Sequence, residues 1–450
     1  MIPPSGTGAV DARAARAAVT ASRIVAAELL ADLRAGILLD AAFDRRTTAL
    51  DARDRRWVHE LTYGILRRRS WLDALLTERV RGGLARLDPD LTDLLRAGAY
   101  QLLHMRSVPP YAAIAQTVEL AKNRHGLGAS KLVNAVLRRL DRERADIGKT
   151  LPADPVEALV VTHSHPRWII QRWIARYGMQ ETAALLAANN LEAPTFARPY
   201  NVVREQLEAA LEADGLLVGD APLVRDSVKL PPGTPLADLG AYQQGQFFVQ
   251  DPAATLVTQY ACIAPNSVVA DLCAAPGGKA IELSRDAAQV VAADRSGARL
   301  SRLAESMRRL DATGIELVVM DARAPALRQV DAVLLDAPCS GTGTYRRHPD
   351  ARWRLKTSDI AVLASGQRSL LDAAANIVKP GGLLVYSTCS LEPEENDQPV
   401  GLFLSTHPQF KLEPPPAGTV PDNVLDEGRL RVLPHRHGTD GAFAVRLRHV

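Results

Sequence analysis

Cysteine is scarce in this sequence, and its spacing excludes several classes of protein. The 450 residues contain four cysteines, which are Cys262, Cys273, Cys339 and Cys389. No two of them form a Cys-x-x-Cys pair, and none lies at zinc-finger spacing from histidines, which argues against structural zinc and against a secreted disulfide framework. Reduced thiols are therefore expected, and Cys262 and Cys273 are predicted to be small core residues.

Long apolar runs are also missing. No window offers eighteen consecutive apolar residues, so a transmembrane helix is not expected. Charges interrupt the N-terminal stretch MIPPSGTGAVDARAARAAVTASR, where a signal peptide would need an apolar core. With 47% hydrophobic and 23% charged residues, the composition is that of an ordinary globular protein, and a cytoplasmic location is predicted.

Charge is distributed unevenly along the chain. Residues 1–150 contain 25 lysines and arginines against 17 acidic residues, a balance of +8. The whole chain sums to +3, so the remaining 300 residues sum to −5. The basic N-terminal part is the candidate for contact with a polyanion such as nucleic acid. A solvated, arginine-rich helical face is the alternative, because arginine is a good helix former.

The spacing of apolar residues predicts a multidomain protein, in keeping with its length. Residues 13–145 repeat apolar positions every three or four residues and predict an all-α domain. Residues 151–250 mix helical and extended patterns and predict a small α+β connecting domain. Residues 251–450 alternate short β-branched runs with helical segments, which predicts a doubly wound α/β domain with a mostly parallel sheet.

Unusual residues follow the predicted strands, at the edge of the sheet where ligands bind in such domains. The first strand ends in DLCAAPGGK, residues 271–279, whose Gly277 and Gly278 let a ligand approach the backbone closely. Asp294 ends the second strand and Asp321 the third, where carboxylates could bind a ribose and an adenine amine. Each acid alone could be a helix cap. Together they favour a nucleoside ligand without a polyphosphate, and S-adenosylmethionine fits that description.

Two cysteines follow the fourth and fifth predicted strands. DAVLLDAPCS contains Asp336 and Cys339, and GLLVYSTCS contains Cys389. In methyltransferase-type sheets these strands are neighbours, about 4.8 Å apart, so both thiols are expected to face one pocket. Carbon 5 of cytosine is too weakly nucleophilic to accept a methyl group directly, but a thiolate that adds to carbon 6 creates an enamine that can. Asp336 would hydrogen-bond the base at N3 or its amine and stabilise the adduct.

The tetrapeptide DAPC, residues 336–339, also indicates which atom is methylated. Enzymes that methylate exocyclic amines carry Asn or Asp followed by Pro-Pro and an aromatic residue at this place, and they need no thiol. Carbon, not nitrogen, is therefore the predicted target.

Several motifs resemble those of a known family. DLCAAPGGK, LLDAPCSGTG, RRHPD, YSTCSLEPEEN and HGTDGAFAVRLR are similar to the bacterial RNA cytosine-5 methyltransferases of the Sun or Fmu group, within the NOL1/NOP2/Sun family. LTYGILRRRSWLD and LVNAVLRRL resemble the NusB-like helical domain of the ribosomal members, and SHPRWIIQRWIARYG resembles their connecting segment. The resemblance covers residues 13 to 450 and implies a NusB-like RNA-binding domain over 13–145, the connecting domain over 151–250 and a Rossmann-like class I methyltransferase domain over 251–450.

The resemblance further implies methylation of a cytidine in 16S ribosomal RNA by S-adenosylmethionine, with Cys389 as nucleophile and Cys339 assisting product release. The implied partner is 16S ribosomal RNA in free or early-assembly form; a monomeric chain without membrane or metal is expected. Implied cofactor contacts come from Cys273, Ala274, Ala275, Pro276, Gly277, Gly278, Lys279, Asp294, Asp321 and Asp336. Two departures are Ala280, where relatives usually have Thr, and TFARPYNV in the middle region.

Two other functions stay open at this point. The first is cytosine-5 methylation of transfer RNA, against which the NusB-like segment argues, although such domains read RNA shape and protein partners. The second is a non-catalytic assembly or antitermination factor that kept its cofactor pocket. Cys389, Cys339 and Asp336 argue against it, because a binding module has no evident need of two thiols at one pocket.

Overall fold

The computed structural model describes residues 19–147 and 151–450, so the first residues of the predicted helical domain, 13–18, lie outside the described part. The chain forms two compact units. The first contains the described residues up to Leu186 together with His348–Arg354, and the second contains Ala187–Arg347 and Leu355–Val450. The division into three domains at 145–151 and 250–251 stays a prediction; the two compact units meet in sequence between Leu186 and Ala187.

The described residues of the first unit are helical and contain no strand, in agreement with the apolar spacing. The helices are α1 (Ala21–Arg34), α2 (Leu39–Thr47), α3 (Ala52–Arg67), α4 (Arg69–Thr77), α5 (Pro89–His104), α6 (Pro110–Arg142), α7 (Pro155–His163), most of α8 (Arg167–Ala188) and one turn at Ala351–Arg354. Asp51, Asp88 and Asp154 cap α3, α5 and α7 by accepting hydrogen bonds from backbone N–H groups. Gly126 and Gly178 interrupt α6 and α8 with φ of 82° and 78°.

The second unit begins with a small antiparallel sheet of order β2-β3-β1-β4. Its strands are β1 (Thr195–Pro199), β2 (Gly219–Asp220), β3 (Val228–Leu230) and β4 (Phe247–Val249), accompanied by α9 (Arg204–Ala213) and one turn at Gly240–Gln243. This arrangement confirms the predicted small α+β region.

A nine-stranded sheet forms the rest of the second unit, in the order β11-β12-β13-β9-β8-β5-β6-β7, with β10 paired to β13. Its strands are β5 (Val268–Asp271), β6 (Gln289–Asp294), β7 (Ile315–Val319), β8 (Val330–Asp336), β9 (Val378–Thr388), β10 (Phe410–Leu412), β11 (Leu425–Asp426), β12 (Arg429–Val432) and β13 (Ala442–His449). The strands β5 to β9 pair in parallel and the others in antiparallel fashion. The predicted neighbours β8 and β9 are therefore confirmed.

Helices cover both faces of this sheet. They are α10 (Pro252–Ala261), α11 (Gly278–Leu283), α12 (Gly297–Leu310), α13 (Thr357–Ala375) and α14 (Asp397–Thr406), with one turn at Pro434–His437. Alternate residues of a strand join opposite hydrophobic clusters: Val269 packs with α10, α11 and α12, and Ala270 packs with α13 and α14. Short 3₁₀ turns lie at Leu84–Arg86, Arg144–Asp146, Leu236–Asp238, Thr342–Thr344 and Asp422–Val424. None of the described helices is both long and apolar enough to cross a bilayer.

Cys262 is a correction to the sequence-based expectation. Its side chain is exposed, not part of the core. The residue caps the C-terminus of α10 with φ of 39°, where the chain turns away from the packed helix. Burial was expected because cysteine is usually a core residue. Residue type alone does not show that a residue lies at the end of a helix.

Four charged groups join three distant segments of the second unit; three are buried and Arg347 is partly exposed. Arg346 contacts Asp440 at 2.8 Å and Asp251 at 2.9 Å, and Arg347 contacts the same two carboxylates at 2.9 Å each. Asp251 also caps α10 by accepting from the N–H of Ala253. The chain that follows Cys339 is thereby fixed to the start of α10 and to the loop before β13.

We expect Asp440→Ala to lower the free energy of unfolding by about 3–5 kcal/mol, because it leaves Arg346 and Arg347 with half of their buried negative charge. Urea unfolding followed by circular dichroism measures the change. The matched control is Glu427→Ala, which removes an exposed ion pair with Arg429 and should cost about 1 kcal/mol or less. Equal effects of the two substitutions would show that the buried cluster contributes no special stability.

Candidate active site

The ends of β8 and β9 bring the two predicted catalytic cysteines together. The strands pair in parallel with Asp336 opposite Ser387, and the N–H of Ala337 donates to the carbonyl of Ser387 at 2.9 Å. Cys339 and Cys389 follow these residues, and both side chains are half-buried. Their Sγ atoms lie 3.2 Å apart, a hydrogen-bonding distance for sulfur. The expectation that both thiols face one pocket agrees with this contact.

The environment of the two sulfurs distinguishes them. The hydrogen bond to Cys389, together with burial and the nearby charges of Cys389 and Glu395, raises the pKa of Cys339 well above its ordinary value. Cys339 therefore stays a thiol, and its S–H can donate to Sγ of Cys389. Since a thiolate, not a thiol, is the reactive nucleophile, Cys339 is not poised to attack in this state.

Asp336 lies at the end of β8 and is held by two polar partners. Lys279 donates from Nζ to Oδ2 at 2.7 Å, and Ser387 donates from Oγ to Oδ1 at 2.8 Å. Burial would lower the pKa of Lys279, but the charge of Asp336 and their hydrogen bond outweigh it, so the pKa is raised. The site thus presents a fixed ammonium and a fixed carboxylate beside the thiols.

The loop from Cys273 to Lys279 connects β5 with α11. Gly277 has φ of 115°, and a Cβ there would lie 2.2 Å from Cδ1 of Leu303, so only glycine fits. The carbonyl of Ala275 accepts a hydrogen bond from Arg299 of α12. Burial raises the pKa of Cys273 to about 12, and the charge of Asp271 adds to this, so Cys273 stays a thiol. The part of the chain that the structure describes contains no group of three or more His, Cys, Asp or Glu residues placed to hold a metal.

The two acids predicted to bind a nucleoside occupy different environments. Asp294 is buried at the end of β6, where it accepts from the N–H of Ser296 at 2.9 Å and pairs with Arg299 at 3.1 Å. Asp321 follows β7 and is exposed. Hydrogen bonds from Arg323 lower its pKa to about 2. Both carboxylates remain candidates for ligand contacts, and both have protein partners.

Asp271 is a residue that the sequence reasoning missed. Asp271 is the last residue of β5, just as Asp294 is the last residue of β6. This equivalent position could have identified Asp271 as a candidate site residue from the sequence. Its side chain is 1% exposed, and no side chain of the described residues donates a hydrogen bond to either carboxylate oxygen. Burial, reinforced by the charge of Asp336, raises its pKa to about 7. A buried carboxylate without a side-chain partner suits a cationic ligand group, so Asp271 and the adjoining loop fit the amino group of S-adenosylmethionine.

Glu395 is a second residue that the motif patterns did not single out. Its side chain is fully buried. Oε1 accepts from the N–H of Ser340 at 2.8 Å and from Nε2 of Gln367 at 3.0 Å. Oε2 accepts from Oγ of Ser390 at 2.5 Å and from Oγ of Ser340. Ser340 and Ser390 directly follow the two cysteines, so one carboxylate bonds to both cysteine loops.

Three family descriptions match successive parts of the chain. Residues 20–142 match the NusB family, residues 165–237 match the ferredoxin-like domain of RsmF/B-like methyltransferases, and residues 261–448 match 16S rRNA methyltransferase RsmB/F. With the parallel sheet and the loop after β5, these matches define a Rossmann-like, S-adenosylmethionine-dependent methyltransferase.

Relatives over nearly the full length specify the family. The chain is 36% identical to the "Probable ribosomal RNA small subunit methyltransferase B" of Synechocystis, over 91% of this chain and 95% of that protein. It is 34% identical to the ribosomal RNA small subunit methyltransferase B of Vibrio cholerae, over 87% of this chain and 88% of that protein. The crystal structure of PH0851 matches 96% of this chain and 99% of that chain with a TM-score of 0.78 and 28% identity. The chain belongs to the RsmB/F family of 16S rRNA methyltransferases.

The raised pKa of Asp271 predicts a dependence of stability on pH. Burial moves this pKa from 3.8 to about 7, so the folded state binds the proton more tightly than the unfolded state. The free energy of unfolding should therefore fall as the pH rises from about 4 to about 7. Asp271→Asn removes the charge and should unfold at pH 8 with a free energy up to about 4 kcal/mol higher than that of the unsubstituted chain. Urea unfolding at pH 5 and pH 8 measures the difference.

Asp331→Asn is the control of opposite sign, because a hydrogen bond from Lys379 lowers the pKa of Asp331. This variant should lose stability at pH 8. Asp271→Asn should also bind S-adenosylhomocysteine more weakly in calorimetry, since the buried carboxylate is gone. No gain in stability at pH 8 would show that Asp271 is not under electrostatic strain.

Proposed function

We propose that the chain methylates carbon 5 of a cytidine in 16S ribosomal RNA with S-adenosylmethionine. Cys389 forms a covalent bond to carbon 6 of the base, and Cys339 assists release of the product. The observation that carries this proposal is the 3.2 Å contact between the two sulfurs, beside Asp336 and Lys279. The choice of RNA rests on the family, whose members are described as 16S rRNA methyltransferases.

The first step is addition to the base. The Cys389 thiolate forms a bond to carbon 6, and the electrons of the C5–C6 double bond become available at carbon 5. The partially buried Asp336 and Lys279 can accept and donate hydrogen bonds at the N3 and amine edge, which stabilises the electron-rich ring. When bound, S-adenosylmethionine supplies an electrophilic methyl group on a sulfonium. Carbon 5 forms the new bond to that methyl group as the old bond to sulfur breaks.

The second step is release. Once Cys389 is bonded to carbon it carries no charge and no longer accepts the proton of Cys339, so two of the causes that raise the pKa of Cys339 disappear. Cys339 then loses its proton to solvent and removes the proton from carbon 5. The electrons of that C–H bond restore the C5–C6 double bond, and Cys389 leaves with the electrons of the S–C6 bond. One proton is released for each methyl group transferred.

Cys339→Ala should accumulate a covalent complex with RNA, because attack by Cys389 is intact while removal of the carbon-5 proton is impaired. The protein is incubated with unmodified 16S RNA and S-adenosylmethionine and separated by denaturing gel electrophoresis. A slowly migrating protein–RNA band is expected for Cys339→Ala and should be absent when Cys389 is also replaced. Mass spectrometry of nucleosides from the wild-type reaction should show 5-methylcytidine.

Cys262→Ala is the matched control, since Cys262 is an exposed thiol at the end of α10, and it should behave as wild type. An adduct that forms only in Cys389→Ala would reverse the two assignments. Methylation by the wild type without any adduct in Cys339→Ala would refute the release step. Methylation of transfer RNA in place of 16S RNA would refute the substrate.

A further inference from the structure

The hydrogen bonds of Glu395 are unusual for a buried acid. No lysine, arginine or histidine of the described residues forms an ion pair with it; four donors from uncharged groups satisfy its oxygens. A buried carboxylate without a cation is costly unless hydrogen bonds compensate for the loss of water. This arrangement is better explained by what the carboxylate holds in place than by a gain in stability.

The residues that Glu395 holds are adjacent in sequence to the two thiols. Ser340 follows Cys339 and Ser390 follows Cys389, and the two serine Oγ atoms are themselves 3.1 Å apart. The β-ladder between β8 and β9 ends before these residues, at Asp336 and Ser387. The separation of the two sulfurs therefore depends on contacts beyond the sheet.

Apart from the direct contact between the two serine hydroxyls, other contacts fix the backbone of these loops without reaching both serines. The N–H of Gly343 donates to the carbonyl of Cys389 at 3.0 Å, and the N–H of Leu391 donates to Oγ1 of Thr342 at 2.8 Å. Glu395 is the residue whose side chain reaches Ser340 and Ser390 at once. The β9 side is anchored further because the hydroxyl of Tyr386 donates to the carbonyl of Glu395 at 2.6 Å.

We propose that Glu395 is a positioning residue of the active site: by accepting hydrogen bonds from Ser340 and Ser390, its carboxylate holds Cys339 and Cys389 in the contact from which one attacks the base and the other assists release. The catalytic roles of the two cysteines rest on the proposed function. The positioning of their sulfurs by Glu395 does not depend on it. Gln367 extends the same network, because its Nε2 also donates to the carbonyl of Pro338 at 2.9 Å. The residues before and after Cys339 are thus both linked to the network of Glu395.

Phenylarsine oxide tests the geometry without RNA or cofactor. The trivalent arsenic bonds to two neighbouring thiols at once: two S–As bonds form, and the oxide leaves as water with the two thiol protons. Cys339 and Cys389 of the wild-type chain should take up one equivalent, detected by intact mass and by protection of both cysteines from iodoacetamide. Cys339→Ala and Cys389→Ala should not form this bridge.

Glu395→Ala should weaken the binding of phenylarsine oxide by about tenfold or more, because hydrogen bonds to a charged group are lost at both loops. Glu395→Gln keeps the shape but replaces one acceptor by a donor, and a smaller loss is expected. Glu395→Gln combined with Ser390→Ala should weaken binding by less than the product of the two single fold-changes, since the substitutions share the contact between Glu395 and Ser390. Thermal unfolding by circular dichroism shows that each variant is folded at the temperature of the assay.

The matched control is Glu413→Gln, because Glu413 receives several hydrogen bonds from Arg446 and Arg448 and contacts neither serine. It should bind phenylarsine oxide as wild type does. Wild-type affinity in folded Glu395→Gln and Ser390→Ala would overturn the proposal, even if Glu395→Ala does not fold. A weakened bridge in Glu395→Gln together with a wild-type enzyme that makes no 5-methylcytidine would retain the positioning and refute the proposed function alone.

Discussion

The parallel pairing of β8 with β9 is the constraint on which the site depends. It places Asp336 opposite Ser387, and from this register the chain needs only a few residues to bring Cys339 and Cys389 into contact. The two cysteines are 50 residues apart in sequence, so no local interaction could join them. A shift of one residue in this register would turn every side chain of β9 to the opposite face and separate the groups.

Several carboxylates lie near the ends of β8 and β9, and their charges affect which nearby groups ionise. Asp336 lies close enough to Asp271 to affect its pKa, and Glu395 does the same to Cys339. Lys279 is the cation that pairs with Asp336. The hydrogen bond with Cys389 and burial raise the pKa of Cys339, and the charge of Glu395 adds to this effect. The same charges suit a cationic cofactor, so the surroundings that restrain one thiol also fit the ligand that the family uses.

The sequence allowed the strand neighbours and the joint position of the two thiols to be predicted, because short β-branched runs alternate with helices and each cysteine directly follows a run. Asp271 and Glu395 were missed for different reasons. Asp271 could have been found as a third strand-ending acid, but its lack of a side-chain partner is visible only in three dimensions. Glu395 bonds to residues 55 and 5 positions away, so its contacts depend on the fold. Cys262 was misplaced because burial was inferred from residue type alone.

The proposed covalent mechanism requires the two thiols to act in a fixed order, and the contact between the sulfurs accounts for that order. In this mechanism Cys339 is the base that removes the carbon-5 proton. If Cys339 ionised before the attack, it would compete with Cys389 for the proton between the two sulfurs. In the proposed mechanism Cys339 avoids this, because the hydrogen bond with Cys389 raises the pKa of Cys339 before the attack and is lost once Cys389 is bonded to the base. This order of steps is possible only if the two sulfurs start within hydrogen-bond distance. The proposed chemistry of the thiols therefore depends on the positions of the two loops that carry them.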